Sequence, residues 1–194
     1  MTSPLDETED ATPLTPEERE SLIPSHVTLR SELNELEQQN ILEAVGSLLS
    51  RRTDPLNETF ALSVHRRMFN RVWEWAGTYR TSKKNFGPEY WEVQPQLLQV
   101  FDNVRYWIEH NTYPPDEIAL RFHRDIVWIH PFPNGNGRWS RLMADLLAIR
   151  LGQKQFTWGG SALRAPDETR KAYIDALHAA DAHDFGPLFE FARS

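Results

Sequence analysis

His130-Pro131-Phe132-Pro133-Asn134-Gly135-Asn136-Gly137-Arg138-Trp139-Ser140-Arg141 is the stretch on which the reading of this chain turns. Helical periodicity precedes it up to about Ile129, and Pro131 breaks that helix. A new helix begins within the glycine turn and continues through Leu142, Met143, Leu146, Leu147 and Ile149 to Gly152. The stretch is therefore a loop feeding a helix N-terminus. Backbone N–H groups there have no intrahelical partner and favour negative charge. Gly135 and Gly137 let a ligand approach the backbone, and Asn136 lies between them. Arg138 and Arg141 are three residues apart, so they share a helix face and present guanidinium forks suited to phosphate oxygens. His130, with an ordinary pKa of about 6.5, can accept a proton at neutral pH. Phe132 is expected to point inward and anchor the loop. These parts suit nucleotidyl or phosphoryl transfer. An anion pocket holds a polyphosphate, the arginines take the charge developing on the leaving group, and His130 deprotonates an incoming hydroxyl.

Both sides of the motif read as helical. Leu33, Leu36, Ile41, Val45 and Leu48 recur at helical spacing in a helix over 31–49. Asn57 is placed to cap a helix running through Phe60, Leu62, Val64, Met68 and Phe69 to about Trp75, with Gly77 ending it. Further helices are expected over 96–110, from Glu117 to Ile129 after the Pro114-Pro115-Asp116 start, and over about 167–180 and 184–193. Residues 1–24 hold Pro4, Pro13, Pro16 and Pro24 among acidic residues. They read as an extended arm with one short turn, capped by Thr15 with Pro16 first. Thr78–Thr81 and Tyr90–Val93 have strand-like composition around a turn-rich centre and predict a small β-hairpin or an irregular flap, with the β-hairpin flap preferred. The divisions are 1–24 (arm), 25–52 (N-terminal helix) and 53–194 (catalytic domain).

Composition narrows the function. The 194-residue chain is 40% hydrophobic and carries a formal net charge of −7. That balance speaks against direct nucleic-acid binding. There is no cysteine, hence no disulfide or thiolate chemistry. The seven histidines lack close metal-ligand spacing, so no zinc site is expected. No apolar run is long enough to span a membrane, and the acidic N-terminus is unlike a signal peptide. The expected location is cytoplasmic.

The motif resembles the Fic (filamentation induced by cAMP) signature HxFx(D/E)GNGRxxR, matching every fixed position but one. Leu62, His65, Phe69, Trp75, Ala76, Gly77 and Arg80 resemble the family's upstream helix. Tyr173, Ala176, Leu177, Ala180, Asp184, Pro187 and Phe191 resemble its C-terminal helices. The N-terminal arm and helix resemble the subgroup called mobile mystery protein B. The resemblance implies a mainly α, Fic-fold helical bundle with the β-hairpin flap over the active site. It implies a protein adenylyltransferase that moves AMP from ATP, with Mg²⁺, to a Ser, Thr or Tyr hydroxyl of a target protein. His130 would be the general base, and Gly135, Asn136 and Gly137 the anion hole. Arg138 would bind the β/γ-phosphates, Arg141 the γ-phosphate, and Tyr173 the nucleotide base. The flap, with Lys83, Lys84, Asn85 and Phe86, would dock the target as an added strand. For Lys83 and Lys84, solvated surface charge is the plainer expectation. His65 and His123 are expected to be structural. Asp181 falls where many members carry Asn.

The mismatch is Asn134, where the family usually has an acidic Mg²⁺ ligand. A neutral amide coordinates Mg²⁺ more weakly than a carboxylate. Weaker affinity, metal held mainly by phosphates, and a changed reaction are the alternatives; the second is preferred. Many members also carry an inhibitory helix of pattern (S/T)xxxE(G/N). Ser31–Glu35 fits it except that Leu36 follows, and Thr28–Glu32 fits equally. If the first operates, Glu35 would pair with Arg141 and restrain the enzyme; otherwise an antitoxin-like partner or self-association would regulate it. Transfer of another phosphate-containing moiety, removal of AMP, and a non-enzymatic nucleotide-binding module of a toxin–antitoxin-like pair are the competing readings.

Overall fold

The computed structural model describes residues 14–49, 53–160 and 166–194. Residues 1–13 of the expected arm and the 52/53 division lie outside the described residues. Among those described, eight α-helices follow in order. They are α1 (Pro16–Glu20), α2 (Arg30–Leu49), α3 (Glu58–Phe69), α4 (Val93–Glu109), α5 (Pro115–Ile129), α6 (Asn136–Arg150), α7 (Pro166–Asp181) and α8 (Gly186–Arg193). None is long and apolar enough to cross a membrane.

α5 and α6 form the central pair, with α4 on α5, α2 on α3, and α7 paired with α8. Their shared core is aromatic: Phe69, Phe101, Phe122, Phe132 and Trp139 are all buried. Trp139, on the first turns of α6, donates its indole N–H to the Ala61 carbonyl on α3 at 3.0 Å. That single bond satisfies a buried donor and fixes α6 against α3.

α2 shows why a helix face matters more than a local pattern. Its buried residues are Leu33, Glu37, Asn40, Ala44 and Leu48, at helical spacing. Two of the five are polar, and both meet partners across the interface. Asn40 donates to the Arg67 carbonyl (2.9 Å) and accepts the Arg71 N–H (3.1 Å). It thereby caps the end of α3, which stops at Phe69 with Asn70 as its C-cap, short of the expected Trp75.

The arm's start matches the sequence expectation. Thr15 caps α1, Pro16 opens it, and Glu18 closes a capping box. The chain then lies antiparallel to residues 72–74, with Ile23 N–H on the Val72 carbonyl (2.9 Å) and Glu74 N–H on the Ser21 carbonyl (3.1 Å).

The expected β-hairpin is absent: residues 78–92 contain no strand, only bends and a 3₁₀ turn at Tyr90–Glu92. The reason is Arg80. Its buried guanidinium takes the Ser82 carbonyl (2.9 Å) and the Pro88 carbonyl, two groups that a hairpin ladder would use. Gly87, at φ 81°, then presses the loop onto α5, where an added Cβ would lie 2.6 Å from the Ile129 carbonyl oxygen.

Trp139→Phe removes the indole donor to Ala61 and part of the buried ring. It is expected to cost about 1–3 kcal/mol of stability, read by chemical denaturation, with the unfolding slope unchanged.

Candidate active site

Pro131 disfavours the right-handed helical region for the residue before it. His130 accordingly ends α5 in the left-handed region, φ 50° and ψ 62°. Such a conformation is costly for a non-glycine residue and persists only where the surroundings impose it. Arg80 imposes it: Nε donates to the His130 carbonyl (2.6 Å), and the Arg80 backbone N–H donates to the Pro131 carbonyl (2.9 Å). The guanidinium sits at the C-terminal end of α5, where the helix dipole favours a cation. One side chain therefore holds both the histidine's backbone and the loop that covers it.

The His130 ring packs against Phe86 of that loop, centroids 5.5 Å apart. Its Nδ1 is buried without a hydrogen-bond partner, and the Val127 and Trp128 carbonyls lie near the ring. A proton on Nδ1 would leave the Nε2 lone pair free to act as a base. Burial, aided by the Arg80 charge, pushes its pKa down to about 4. His130 is thus neutral at physiological pH.

The glycine turn is held from below by His65, buried in α3. Its Nδ1 accepts the Gly77 N–H and its Nε2 donates to the Asn134 carbonyl, each at 3.0 Å. The ring stacks on Phe132, centroids 3.7 Å apart. Burial depresses its pKa to about 3. Phe132 points inward as expected and is fully buried. Asn136 locks the same loop, accepting the Phe132 N–H and donating to the Phe132 carbonyl, both at 2.9 Å. Its side chain is thereby committed, so only its backbone and those of its neighbours can serve an anion. Gly135 adopts φ 79°, and a Cβ there would lie 2.6 Å from the Phe69 ring. Gly137 opens toward Tyr173, whose hydroxyl would be 3.9 Å from an added Cβ.

Both motif arginines are engaged. Arg141 donates Nε to the Gly137 carbonyl (3.1 Å) and lies over the Tyr173 ring, 5.3 Å from its centroid. Tyr173 Oη meets His123 Nε2 at 3.0 Å. His123 is wholly buried, with its pKa pushed down to about 3 by burial. Arg138 lies over Phe69 and pairs with Glu37 at 2.6 Å. Glu37 is only 3% exposed and also accepts the Trp73 indole N–H at 2.7 Å.

This geometry corrects two sequence expectations. Glu35 is exposed beside Asn34, Gln38 and Gln39 on the outer face of α2; the carboxylate reaching the motif is Glu37, and it reaches Arg138, not Arg141. The motif pattern missed it because the wrong helix face was read. A charged residue on the apolar stripe of α2 was the available signal. Lys84 is not a solvated charge: its side chain is 1% exposed and pairs with Glu18. Lys83 is exposed and pairs with Glu89, while Asn85 and Phe86 are exposed. Asp181 pairs with Arg124 at 2.9 Å, away from the motif.

Asn134 Oδ1 accepts the Gly135 N–H at 2.6 Å. Among the described residues no group of three His, Cys, Asp or Glu could hold a metal ion.

Residues 55–148 match the sequence model of the Fic/DOC family. A Caenorhabditis elegans relative named protein adenylyltransferase fic-1 is 33% identical over 155 residues, 75% of this chain. The chain spans only 28% of that relative's length. The solved structure of C. elegans Fic-1 residues 134–508 superposes with a TM-score of 0.65 at 29% identity, covering 91% of this chain and 52% of that one. The N-terminal Fic domain of Bep8 from Bartonella sp. 1-1C gives a TM-score of 0.69 at 16% identity, covering 88% and 89%. BepC from Bartonella tribocorum, solved with bound AMPPNP, gives 0.68 at 15% identity, covering 92% and 97%.

His65 supplies a pH prediction. Its folded pKa lies below its ordinary value, so the unfolded chain binds the extra proton. Its contribution is complete above pH 6.5 and is lost as pH falls toward 3. His65→Gln can keep both hydrogen bonds without titrating. Urea unfolding between pH 6 and 4 is expected to show a slope shallower by up to about 1.4 kcal/mol per pH unit.

Proposed function

We propose that this chain, which belongs to the Fic/DOC family, transfers AMP from ATP to a side-chain hydroxyl of a protein. The observation that carries this reading is the neutral His130 at the mouth of the α6 N-terminus, with Arg138 and Arg141 on its first turns. The hydroxyl oxygen attacks the α-phosphorus of ATP, and the bond from that phosphorus to the α–β bridging oxygen breaks. His130 Nε2 takes the hydroxyl proton, and pyrophosphate leaves. The first-turn N–H groups of α6 and the two arginines hold the phosphates in place and meet the charge that develops on the leaving group. A base with a pKa of about 4 is weak. Anionic phosphates beside it would offset the Arg80 charge and raise that pKa in the loaded site. Tyr173, stacked under Arg141, is suitably placed to line the nucleotide site.

Mg²⁺ would be held through the phosphates. Asn134 offers one neutral oxygen that already accepts the Gly135 N–H, and no carboxylate cluster accompanies it. The residues alone do not make a cation site. Where bound, the ion would neutralise phosphate charge; the chain's own part is orientation and proton removal.

The Glu37–Arg138 pair supports a restrained resting state. Glu37 occupies Arg138 Nη1 and neutralises its charge, so it competes with a phosphate for the same guanidinium.

Intact-mass measurement after incubation with ATP and a target-bearing lysate, with α-labelled ATP in parallel, tests the transfer. Labelled AMP should appear on protein with wild type and vanish with His130→Ala. Equal labelling by both would remove His130 as the base.

Glu37→Gln keeps the Trp73 contact but removes the charge. It is expected to tighten ATP binding about tenfold and to raise the labelling rate. An unchanged affinity and rate would reject the restraint. Asn134→Asp should lower the Mg²⁺ concentration needed for half-maximal labelling.

A further inference from the structure

Three anchors hold the loop 82–88 over His130. Arg80 grips the carbonyls at its two ends, Ser82 and Pro88. Gly87 rests on the Trp128 and Ile129 carbonyls of α5. The third anchor comes from outside the family-matched residues 55–148, from the arm. Glu18 accepts the Ser82 hydroxyl (2.9 Å) and pairs with Lys84, while accepting the Thr15 N–H (2.8 Å). Its own carbonyl accepts the Trp75 indole N–H at 3.1 Å. The pair is sheltered, with Lys84 1% and Glu18 12% exposed.

We infer that Glu18 is a positioning residue that sets the placement of the 82–88 loop, and so of Phe86, over the His130 base. Lys84 is buried, so removing the Glu18 charge takes a carboxylate from a sheltered ammonium and weakens the Ser82 contact, loosening the loop that carries both. Phe86 lies two residues further on and touches the base ring. The arm itself is fixed independently, through its antiparallel pairing with residues 72–74. Glu18 therefore holds the loop from a fixed base. The effect on catalysis rests on the AMP-transfer reading; the structural coupling does not.

Hydrogen-exchange mass spectrometry on the full chain tests it with wild type, Glu18→Gln, Lys84→Met and the exchanged pair Glu18→Lys/Lys84→Glu. Each single variant should speed exchange in residues 82–88 about tenfold, equivalent to ~1.4 kcal/mol. Protection in α3, α5 and α6 should hold, and AMPPNP affinity by calorimetry should stay within about twofold. The exchanged pair should recover part of the lost protection. In the labelling reaction the single variants should transfer less AMP at this unchanged nucleotide affinity. Unaltered exchange in 82–88, or equal acceleration across α3, α5 and α6, overturns the positioning role. A loosened loop with undiminished transfer overturns its link to catalysis. If wild type transfers no AMP, the function proposed above fails, while the exchange comparison still decides the anchor.

Discussion

The site depends on one uncharged imidazole. His65 sits in the middle of α3, wholly out of water, and uses both ring nitrogens. One takes the N–H of Gly77 and the other gives to the carbonyl of Asn134. Only a neutral ring can do both, because a protonated one has two donors and no acceptor. Three segments distant in sequence are fastened by this tautomer: the helix before the loop, the turn after it, and the phosphate-type turn of the motif. Phe132 stacks on the same ring and Trp139 meets Phe132 edge-on, centroids 4.9 Å apart. The glycine turn is thus built on an aromatic stack.

Above that stack the governing interactions are ionic, and the cations differ in what meets them. Arg80 is met by backbone carbonyls, including those at the end of α5. Arg138 is met by the Glu37 carboxylate and the Phe69 ring. Lys84 is met by Glu18. The first arrangement is permanent, since no ligand competes for a guanidinium held by main chain. The second is exchangeable, because a phosphate offers the same geometry as a carboxylate. Architecture and ligand response are therefore divided between two arginines.

Most of the fold could be read in the sequence because helical periodicity and capping residues are local signals. Asn57 caps α3, Thr15 and Glu18 box α1, and Pro115 opens α5. The motif also disclosed its loop-to-helix geometry, since Pro131 and the glycines leave few alternatives. What failed was non-local. The strand-like composition of residues 78–93 was read without the guanidinium that claims their carbonyls. Lys84 looked solvated because nothing nearby in sequence could neutralise it; its partner lies 66 residues earlier. The (S/T)xxxE spacing points to Glu35 or Glu32 and passes over Glu37, because a spacing pattern says nothing about which side of a helix faces the core. Asn40 and Glu37 were visible as polar residues on an apolar stripe, a signal that marks buried contacts to be satisfied.

The antiparallel run of the arm along residues 72–74 has a practical corollary for dissecting such proteins. The family match begins at residue 55, and a recombinant fragment cut there would keep His130, the glycine turn and both motif arginines. It would lack Glu18, and with α2 gone it would also lack the carboxylate on Arg138. Such a fragment would be missing a covering element and a competing anion at the same time. Kinetics measured on it would describe a different catalyst from the intact chain. A chain started at residue 25 would separate the two effects, because it lacks the arm and keeps α2.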